Sequence, residues 1–454
     1  MGRITLGQAA AWCGGKVDAR YEDTVFFGAD IDSRTIKPGQ LFVAMEGARD
    51  GHDFIPMALE KGAAAVLCTH CDGDYPAIVV KDTRLALGDI ARQERKRLGM
   101  KVVGVTGSVG KSTTKEMIAT VLSSTYRTGK SPVNHNNDLG LPMSILALPE
   151  ETEVAVLEMG MNHFREIAYL TSIACPDIAV IINIGTMHIE HLGSMEGILQ
   201  AKLEILEGMP KDGKVLLNGD DRLLWNARKM PHVHATYFGA QNPECDICGT
   251  SVEESDAGLR FSVRHEDKMF SVELPLEGTH FVADALAAVA VGLTLGVTPD
   301  RIRTSLAAFE NMAGRQEIIH AKDCTIIKDC YNAGPESMAA ALTVLGNKSG
   351  RRIAVLGDML ELGVCTQAEH YRIGRIAAEK AEIVLAYGPN SSRVINGAYT
   401  GGMPDTRAKA FTDRQELVSF MKRIVKPGDV LLFKGSHSMH MELVLEMFLQ
   451  DDET

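Results

Sequence analysis

The run KVVGVTGSVGKSTTKEMI, from Lys101 to Ile118, holds the residue types needed to grip a polyphosphate. Its apolar stretch, Val102 to Val105, reads as a buried strand that feeds a Gly-rich turn, and a helix opens at Lys111-Ser112. Gly107 and Gly110 let the backbone N–H groups of the loop, from Thr106 through Ser108 and Val109 to Thr113, approach phosphate oxygens, and the helix N-terminus adds a favourable dipole. Lys111 would neutralise the β/γ oxygens and the Ser112 hydroxyl would ligate magnesium. The strict G-x-x-x-x-G-K-[ST] pattern is not met, because Val105 stands at its first glycine and Gly107 comes later in the turn.

A metal on such a loop needs a carboxylate. The buried-strand pattern Val154 to Leu157 ends in Glu158, and ligands of parallel sheets bind at the carboxyl ends of strands. The next apolar run, Ile178–Ile184, ends in Gly185-Thr186-Met187-His188, which puts His188 at the same edge. From spacing alone His188 reads equally as a solvated or core histidine, and Lys202, inside GILQAKLEILEGM, as an ordinary exposed lysine. The physical demand is nevertheless clear. An anion attacking the terminal phosphate of ATP meets like charges, each pair costing ~4 kcal/mol at ~4 Å and an effective dielectric of ~20. One lysine cannot offset several such pairs, so one or two magnesium ions are expected.

The elements that must position these residues alternate along the chain. Residues 1–82 read as a small α/β unit, with strands at Gln40–Met45, Ala64–Leu67 and Ala77–Val80 and a helix from Phe54 to Lys61. In residues 83–314, Leu85–Leu98 is helical in period, with basic residues from Arg92 onward suiting its C-terminal end. Strands at Val102–Val105, Val154–Leu157, Ile178–Ile184 and Lys214–Leu217 then alternate with helices at Thr114–Leu122, Arg165–Ile173, Gly197–Leu206 and Asp284–Leu295. Such alternation predicts a mostly parallel sheet covered on both faces. The stretch Val233 to Leu276 departs from it, reading as short strands broken at Asn242-Pro243 and Asp256-Ala257-Gly258. Residues 315–454 alternate again and fit a Rossmann-like domain. Its strands are Thr325–Asp329, Arg352–Gly357, Ile383–Tyr387 and Asp429–Lys434, and its helices Ser337–Leu345, Ala368–Lys380, Arg414–Arg423 and Met441–Leu449.

At 454 residues the chain is too long for one core, which agrees with several domains. A formal net charge of -12 argues against non-specific nucleic-acid binding, although a local basic pocket can still take an anionic substrate. Nine scattered cysteines read as reduced thiols of a cytoplasmic protein. Cys245 and Cys248 form a C-x-x-C without a second pair at zinc spacing, so plain thiols are favoured over a metal site. The N-terminal run has no signal-peptide core, Leu6 breaks the myristoylation pattern, and no apolar run reaches the ~18 residues of a membrane span.

Beyond these physical readings, the motifs resemble a known family. TGSVGKST is followed by NNDLGLP (Asn136 to Pro142), LEMGMNHFREIA (Leu157 to Ala168) and TMHIEHLGSMEGILQAKLEI. DCYNAGPESM (Asp329 to Met338), VLGDMLELG (Val355 to Gly363) and FKGSHSMHME (Phe433 to Glu442) come later, and DSRTIKPGQLFVAMEGARDGHDF (Asp32 to Phe54) comes first. Together they resemble the Mur ligases, ATP-dependent amide-forming enzymes that build the peptide of bacterial cell-wall precursors. The D-x-Y-N-A-x-P-x-S-M run is similar to that of the member joining D-alanyl-D-alanine to UDP-N-acetylmuramoyl-tripeptide. The diamino-acid-adding relative usually carries a D-N-P-R run, which is missing here. Folate-type ligases, or a P-loop kinase or switch, are the rival readings.

The resemblance implies a UDP-binding first domain, a central P-loop-type ATPase domain and a C-terminal domain that closes over the nucleotide, in a cytoplasmic monomer. It gives Ser112 and Glu158 a first magnesium, and His188 and Lys202 a second. It also implies a CO2-derived carbamate on Lys202, which requires a neutral amine and hence a depressed pKa. By the same resemblance Ser33, Arg34, Gly47, Asp50 and His52 hold the UDP-sugar, while Asn136 and Asn137 orient phosphate or peptide. His280, Arg315 and Asp329 contact the nucleotide. Tyr331, Asn332, Asp358, Glu361, Lys434 and Ser436 serve the peptide substrates. The family's patterns are departed from at Phe281 and Asp284, beside His280, and at His437, where an arginine is usual.

Overall fold

Three runs of strand-forming sequence build sheets of five, nine and six strands that stand on helices, beside a two-stranded ribbon of Ile4–Thr5 with Val25–Phe26, giving a three-domain α/β architecture. The computed structural model describes residues 3–255 and 257–450. Asp256, in the expected turn Asp256-Ala257-Gly258, lies outside the described residues. By internal contacts the chain divides into two compact units: Met1–Ile182, Leu199–Cys248 and Ala285–Leu306 form one, and Asn183–Ile198, Gly249–Asp284 and Ala307–Thr454 the other.

In the first unit, a five-stranded sheet runs Lys16–Val17, Ala77–Val79, Ala65–Cys68, Leu41–Val43, Ala29–Asp30, parallel except at its first pair. The expected strands and the helix Ile55–Glu60 all lie here; Leu41–Val43, Ala77–Val79 and the helix are shorter than the apolar pattern suggests, and Ala65–Cys68 keeps its expected length one residue later. The helix Thr83–Leu98 follows. The Asp82 side chain caps it by accepting from Leu85 N at 3.0 Å, and Gly99 ends it at φ 62°. Its basic C-terminal turn does more than complement a dipole. Arg95 donates to Ala174 O, Cys175 O and Asp177 Oδ2 at 2.9–3.0 Å, and Asp177 Oδ2 also accepts from Val102 N at 2.8 Å. These bonds fix the start of the phosphate-loop strand.

That strand, Lys101–Thr106, lies between Val154–Glu158 and Ile178–Ile181, parallel to both. Thr128–Lys130 extends the sheet beyond Val154–Glu158. On the other side follow Lys214–Asn218, Ala235–Gly239 and the start of Ile247–Ser255, all parallel. Val102, Val103 and Val105 are fully buried, as a strand covered on both faces requires. The apolar run expected as Ile178–Ile184 pairs only to Ile181; Ile182 and Ile184 stay buried by packing as the chain turns out of the sheet. The helix expected at Gly197–Leu206 is α-helical over Met195–Leu203 and then tightens to a 3-10 turn at Glu204–Gly208.

The second unit contains the antiparallel hairpin Gly258–His265 with Lys268–Leu274, longer strands than the broken pattern predicts. Its sheet runs Glu317–Ala321, Cys324–Asp329, Val430–Lys434, Arg352–Gly357, Ile383–Tyr387, Ala408–Phe411, antiparallel at the first pair and parallel thereafter. Helices Thr366–Lys380 and Ser391–Thr400 cross through glycine contacts. A Cβ on Gly374 would stand 1.9 Å from Val394 O, and one on Gly397 2.0 Å from Tyr371 O. Gly374→Ala is therefore expected to cost about 3 kcal/mol, at the upper end of overpacking penalties. A fall in the denaturant midpoint at constant slope is the check; an unchanged midpoint would show that the helices can separate freely.

Candidate nucleotide-phosphate site

The turn after Lys101–Thr106 reaches its helix, Lys111–Ser123, through Gly110 at φ 83°, a left-handed conformation that costs glycine little. Lys111 Nζ is held over the turn by Gly107 O at 2.9 Å and Ser108 O at 3.2 Å. Thr106 at the strand end is fully buried, and its Oγ1 is an orphaned polar atom at the entrance of the loop. Ser112, in the first turn of that helix, and Glu158, the last residue of its strand, are each 3% exposed and meet, Ser112 Oγ donating to Glu158 Oε2 at 2.7 Å. The other oxygen, Oε1, accepts from Asn136 Nδ2 at 2.8 Å, and Glu158 N donates to Ser131 Oγ at 3.1 Å. A hydroxyl and a carboxylate buried side by side are the hard oxygen donors that magnesium prefers, so these residues fit that ion.

Lys202 lies in the same unit, 2% exposed. Burial holds its amine well below the usual lysine range, and the nearby Lys111 cation pushes in the same direction. The reading of Lys202 as an exposed helix lysine is thereby corrected, since nothing in GILQAKLEILEGM distinguishes a buried lysine from a solvated one. A neutral amine is the form that captures CO2, so the environment suits a carbamate.

Two side chains escaped the sequence reading. Lys115 is fully buried, donating to Ser131 O at 2.6 Å and lying 3.2 Å from Glu116 Oε1. Ser131 joins that cation to the backbone of Glu158. The available signal was the spacing Lys111 to Lys115, one helical turn into the loop's own helix. Asn137 takes a local role: its Oδ1 accepts from Leu139 N and Gly140 N, capping the helix Gly140–Leu146.

Around the first sheet, Ser33 is buried with Oγ 3.4 Å from Met57 Sδ. Arg34 is exposed and grips Asp32 with Nε and Nη2 at 2.9 and 2.7 Å, holding that carboxyl down to about 2. Asp50 Oδ1 sits 2.6 Å from His52 Nδ1, while His52 Nε2 accepts from Thr69 N at 3.1 Å and the ring stacks on His70 at 4.1 Å. Gly47 is in the open loop between Glu46 and Asp50, which bridge antiparallel.

The second unit holds the remaining candidates. His188, at φ 62°, places Nδ1 2.7 Å from Glu361 Oε2, and this contact holds the Glu361 carboxyl below its ordinary range. Lys434, 2% exposed, donates to Asp329 Oδ2 at 2.6 Å and to Asn332 O at 3.0 Å. Arg315 lies over the Tyr331 ring at 4.0 Å. His280 packs at 4.1 Å on Phe281, whose apolar ring takes the place of an amide. Ser436 Oγ accepts from Leu360 N at 2.9 Å. Asp358, expected among the peptide contacts, is 1% exposed and accepts from Asn390 N and Nδ2, anchoring the start of helix Ser391–Thr400.

Comparison with known proteins agrees with this arrangement. Family models match in chain order: Mur ligase family, catalytic domain (residues 28–95), Mur ligase middle domain (105–292), and Mur ligase, glutamate ligase domain (314–437). A Bacillus subtilis protein named UDP-N-acetylmuramoyl-tripeptide--D-alanyl-D-alanine ligase is 38% identical over 95% of both chains. The Escherichia coli protein of that name is 35% identical over 99% of both. A crystal structure of MurF from Acinetobacter baumannii superposes with a TM-score of 0.91 at 32% identity, covering 99% of this chain and 100% of that one. MurF ligase from Thermotoga maritima in complex with ADP gives 0.81 at 30% identity, covering 93% and 97%. A phosphate loop backed by a buried serine–carboxylate pair, in a chain matched from end to end by these relatives, makes it a member of the Mur ligase family.

Proposed function

We propose that this chain joins D-alanyl-D-alanine to UDP-N-acetylmuramoyl-tripeptide at the expense of ATP, a step in peptidoglycan precursor synthesis. The carrying observation is the buried Ser112–Glu158 pair beside the Lys111 loop, in a chain whose end-to-end relatives bear that name. Lys111 and the loop amides from Thr106 to Thr113 receive the polyphosphate and offset charge as the tripeptide carboxylate attacks the terminal phosphorus. A carboxylate is a poor electrophile until one oxygen becomes a phosphate leaving group; the acyl phosphate meets that need. The dipeptide amine then attacks the acyl carbon, and the tetrahedral intermediate collapses to amide and inorganic phosphate. Ser112 and Glu158 would hold magnesium, which would supply charge screening at the transferring phosphoryl group, and the family resemblance adds Lys202, as its carbamate, and His188 as metal ligands.

Arg34 and His52 are proposed for the UDP-sugar, and His280, Arg315 and Asp329 for the nucleotide. Domain boundaries near residues 82 and 314 are proposed with this function; the start of the third matched segment at residue 314 supports the second, whereas the first matched segment runs on to residue 95. Among the described residues no helix is long and apolar enough to cross a membrane. A cytoplasmic setting is proposed with this reaction, as the nucleotide-linked substrates would suit it.

Purified protein with ATP and magnesium is expected to release phosphate only when UDP-tripeptide and D-alanyl-D-alanine are both supplied, with UDP-pentapeptide detected by mass. Release driven by a free amino acid instead of the dipeptide would reassign the chain to another ligase of the family. Parallel assays with lysine- and diaminopimelate-containing tripeptides decide the third peptide residue.

A further inference from the structure

The His188 segment is short, irregular and strained, yet it must present one side chain reproducibly. It leaves the sheet after Ile181, carries His188 at φ 62°, and enters a helix of one turn, Ile189–Leu192. A bulky residue at such φ is held there only by its surroundings, at a cost of about 1 kcal/mol or more. Within the second unit those surroundings come from far along the chain. Glu336, in the first turn of helix Pro335–Gly346, turns Oε1 onto Thr186 and accepts from both Thr186 N at 2.9 Å and Thr186 Oγ1 at 3.0 Å. The approach is close enough that a Cβ on Gly185 would stand 2.9 Å from Glu336 Cδ. On the far side of the segment, Glu361 meets His188 Nδ1 at 2.7 Å.

We propose that Glu336 is a positioning residue for the ligase reaction: by clamping Thr186 it fixes the segment that presents His188. The proposal rests on the ligase reading above. Glu336 has no role among the sequence motifs, and its side chain holds the segment at Thr186, two residues before the histidine. Two hydrogen bonds converging on one carboxylate oxygen set both the position and the direction of the backbone at Thr186. A misplacement of about 1 Å in such a group is enough to cost ~100-fold in rate.

The test compares Glu336→Ala and Glu336→Gln with the parent chain by hydrogen exchange and by turnover. Glutamine keeps one carbonyl acceptor for Thr186; alanine keeps none. Peptides spanning residues 183–192 are expected to exchange faster in Glu336→Ala than in the parent, with Glu336→Gln close to the parent. Turnover is expected to fall at least tenfold in Glu336→Ala with little change in KM for the dipeptide, and to be largely restored in Glu336→Gln. Unaltered exchange in Glu336→Ala overturns the proposal, as does Glu336→Gln losing as much turnover as alanine, which would make the charge itself the requirement. Exchange needs no ligase activity. If the parent chain fails to ligate while exchange changes as expected, the ligase reading falls and the clamp on Thr186 stands.

Discussion

Lys111→Ala is expected to lower kcat by at least two orders of magnitude, about 3 kcal/mol of transition-state stabilisation, the scale of removing one preorganised charge partner from a phosphoryl-transfer site. Lys111 heads the helix directly after Gly110, so its ammonium is set over the turn by backbone geometry as well as by its bonds to Gly107 O and Ser108 O. Those bonds are local to one turn, and the flanking strand is held by neighbours on both sides, so the variant is expected to melt near the parent temperature. A second loss reinforces the first. The Lys202 pKa is lowered by burial and, to a smaller extent, by the Lys111 cation, which favours the neutral amine. Removing that cation relaxes Lys202 toward ordinary lysine behaviour, disfavouring the neutral amine. Steady-state phosphate release with both peptide substrates is the measurement. Turnover within about tenfold of the parent would remove Lys111 from the phosphate site.

Most of the scaffold that carries Lys111 is legible because its residues obey strong local rules. Buried parallel strands must be apolar throughout, and Val102–Val105 and Val154–Leu157 are. The helix Gly140–Leu146 shows where that logic stops. All seven of its residues are buried, so no amphipathic period exists, and it contains Gly140 and Pro142. Its start depends on Asn137, a residue whose amide had been expected to serve the ligand. The edge strand Thr128–Lys130 carries Gly129 and pairs on one side only, so it has neither length nor apolar density to announce it. Helix Ser391–Thr400 contains Gly397, a weak helix former that its close contact with Tyr371 requires.

The site divides along the same line. Ser112 and Glu158 follow from topology, since each stands where a strand hands the chain to the phosphate edge. His188 with Glu361, and Thr186 with Glu336, pair across long stretches of chain, so no local pattern exposes them. Asp358, which the family resemblance gives as a peptide contact, likewise pairs far along the chain, accepting from Asn390 at the start of a helix 32 residues later.

The second large effect is expected from Lys202→Met, which should abolish turnover at least 100-fold yet stabilise the folded chain at neutral pH in CO2-free buffer. Methionine matches the unbranched length of lysine without its charge, so packing is retained. The sign follows from proton linkage. Burial first, and the Lys111 cation second, lower the folded-state pKa of Lys202 below the 10.5 of an unperturbed lysine. Between the lowered value and 10.5 the unfolded chain binds more protons than the folded one, so the parent's stability rises with pH across that window. Below the window the folded chain carries the full cost of keeping the site neutral or charging it. Lys202→Met has no such cost, so its Tm should exceed the parent's most at low and neutral pH, and the gap should close as pH approaches 10.5. Bicarbonate should narrow the gap in a different way, by raising the parent's Tm alone while adding the mass of one CO2 to it. A variant that is no more stable than the parent at pH 7, with a gap independent of pH, would mean that Lys202 stays solvated and charged. The carbamate proposed for Lys202 would then lack the neutral amine that it needs.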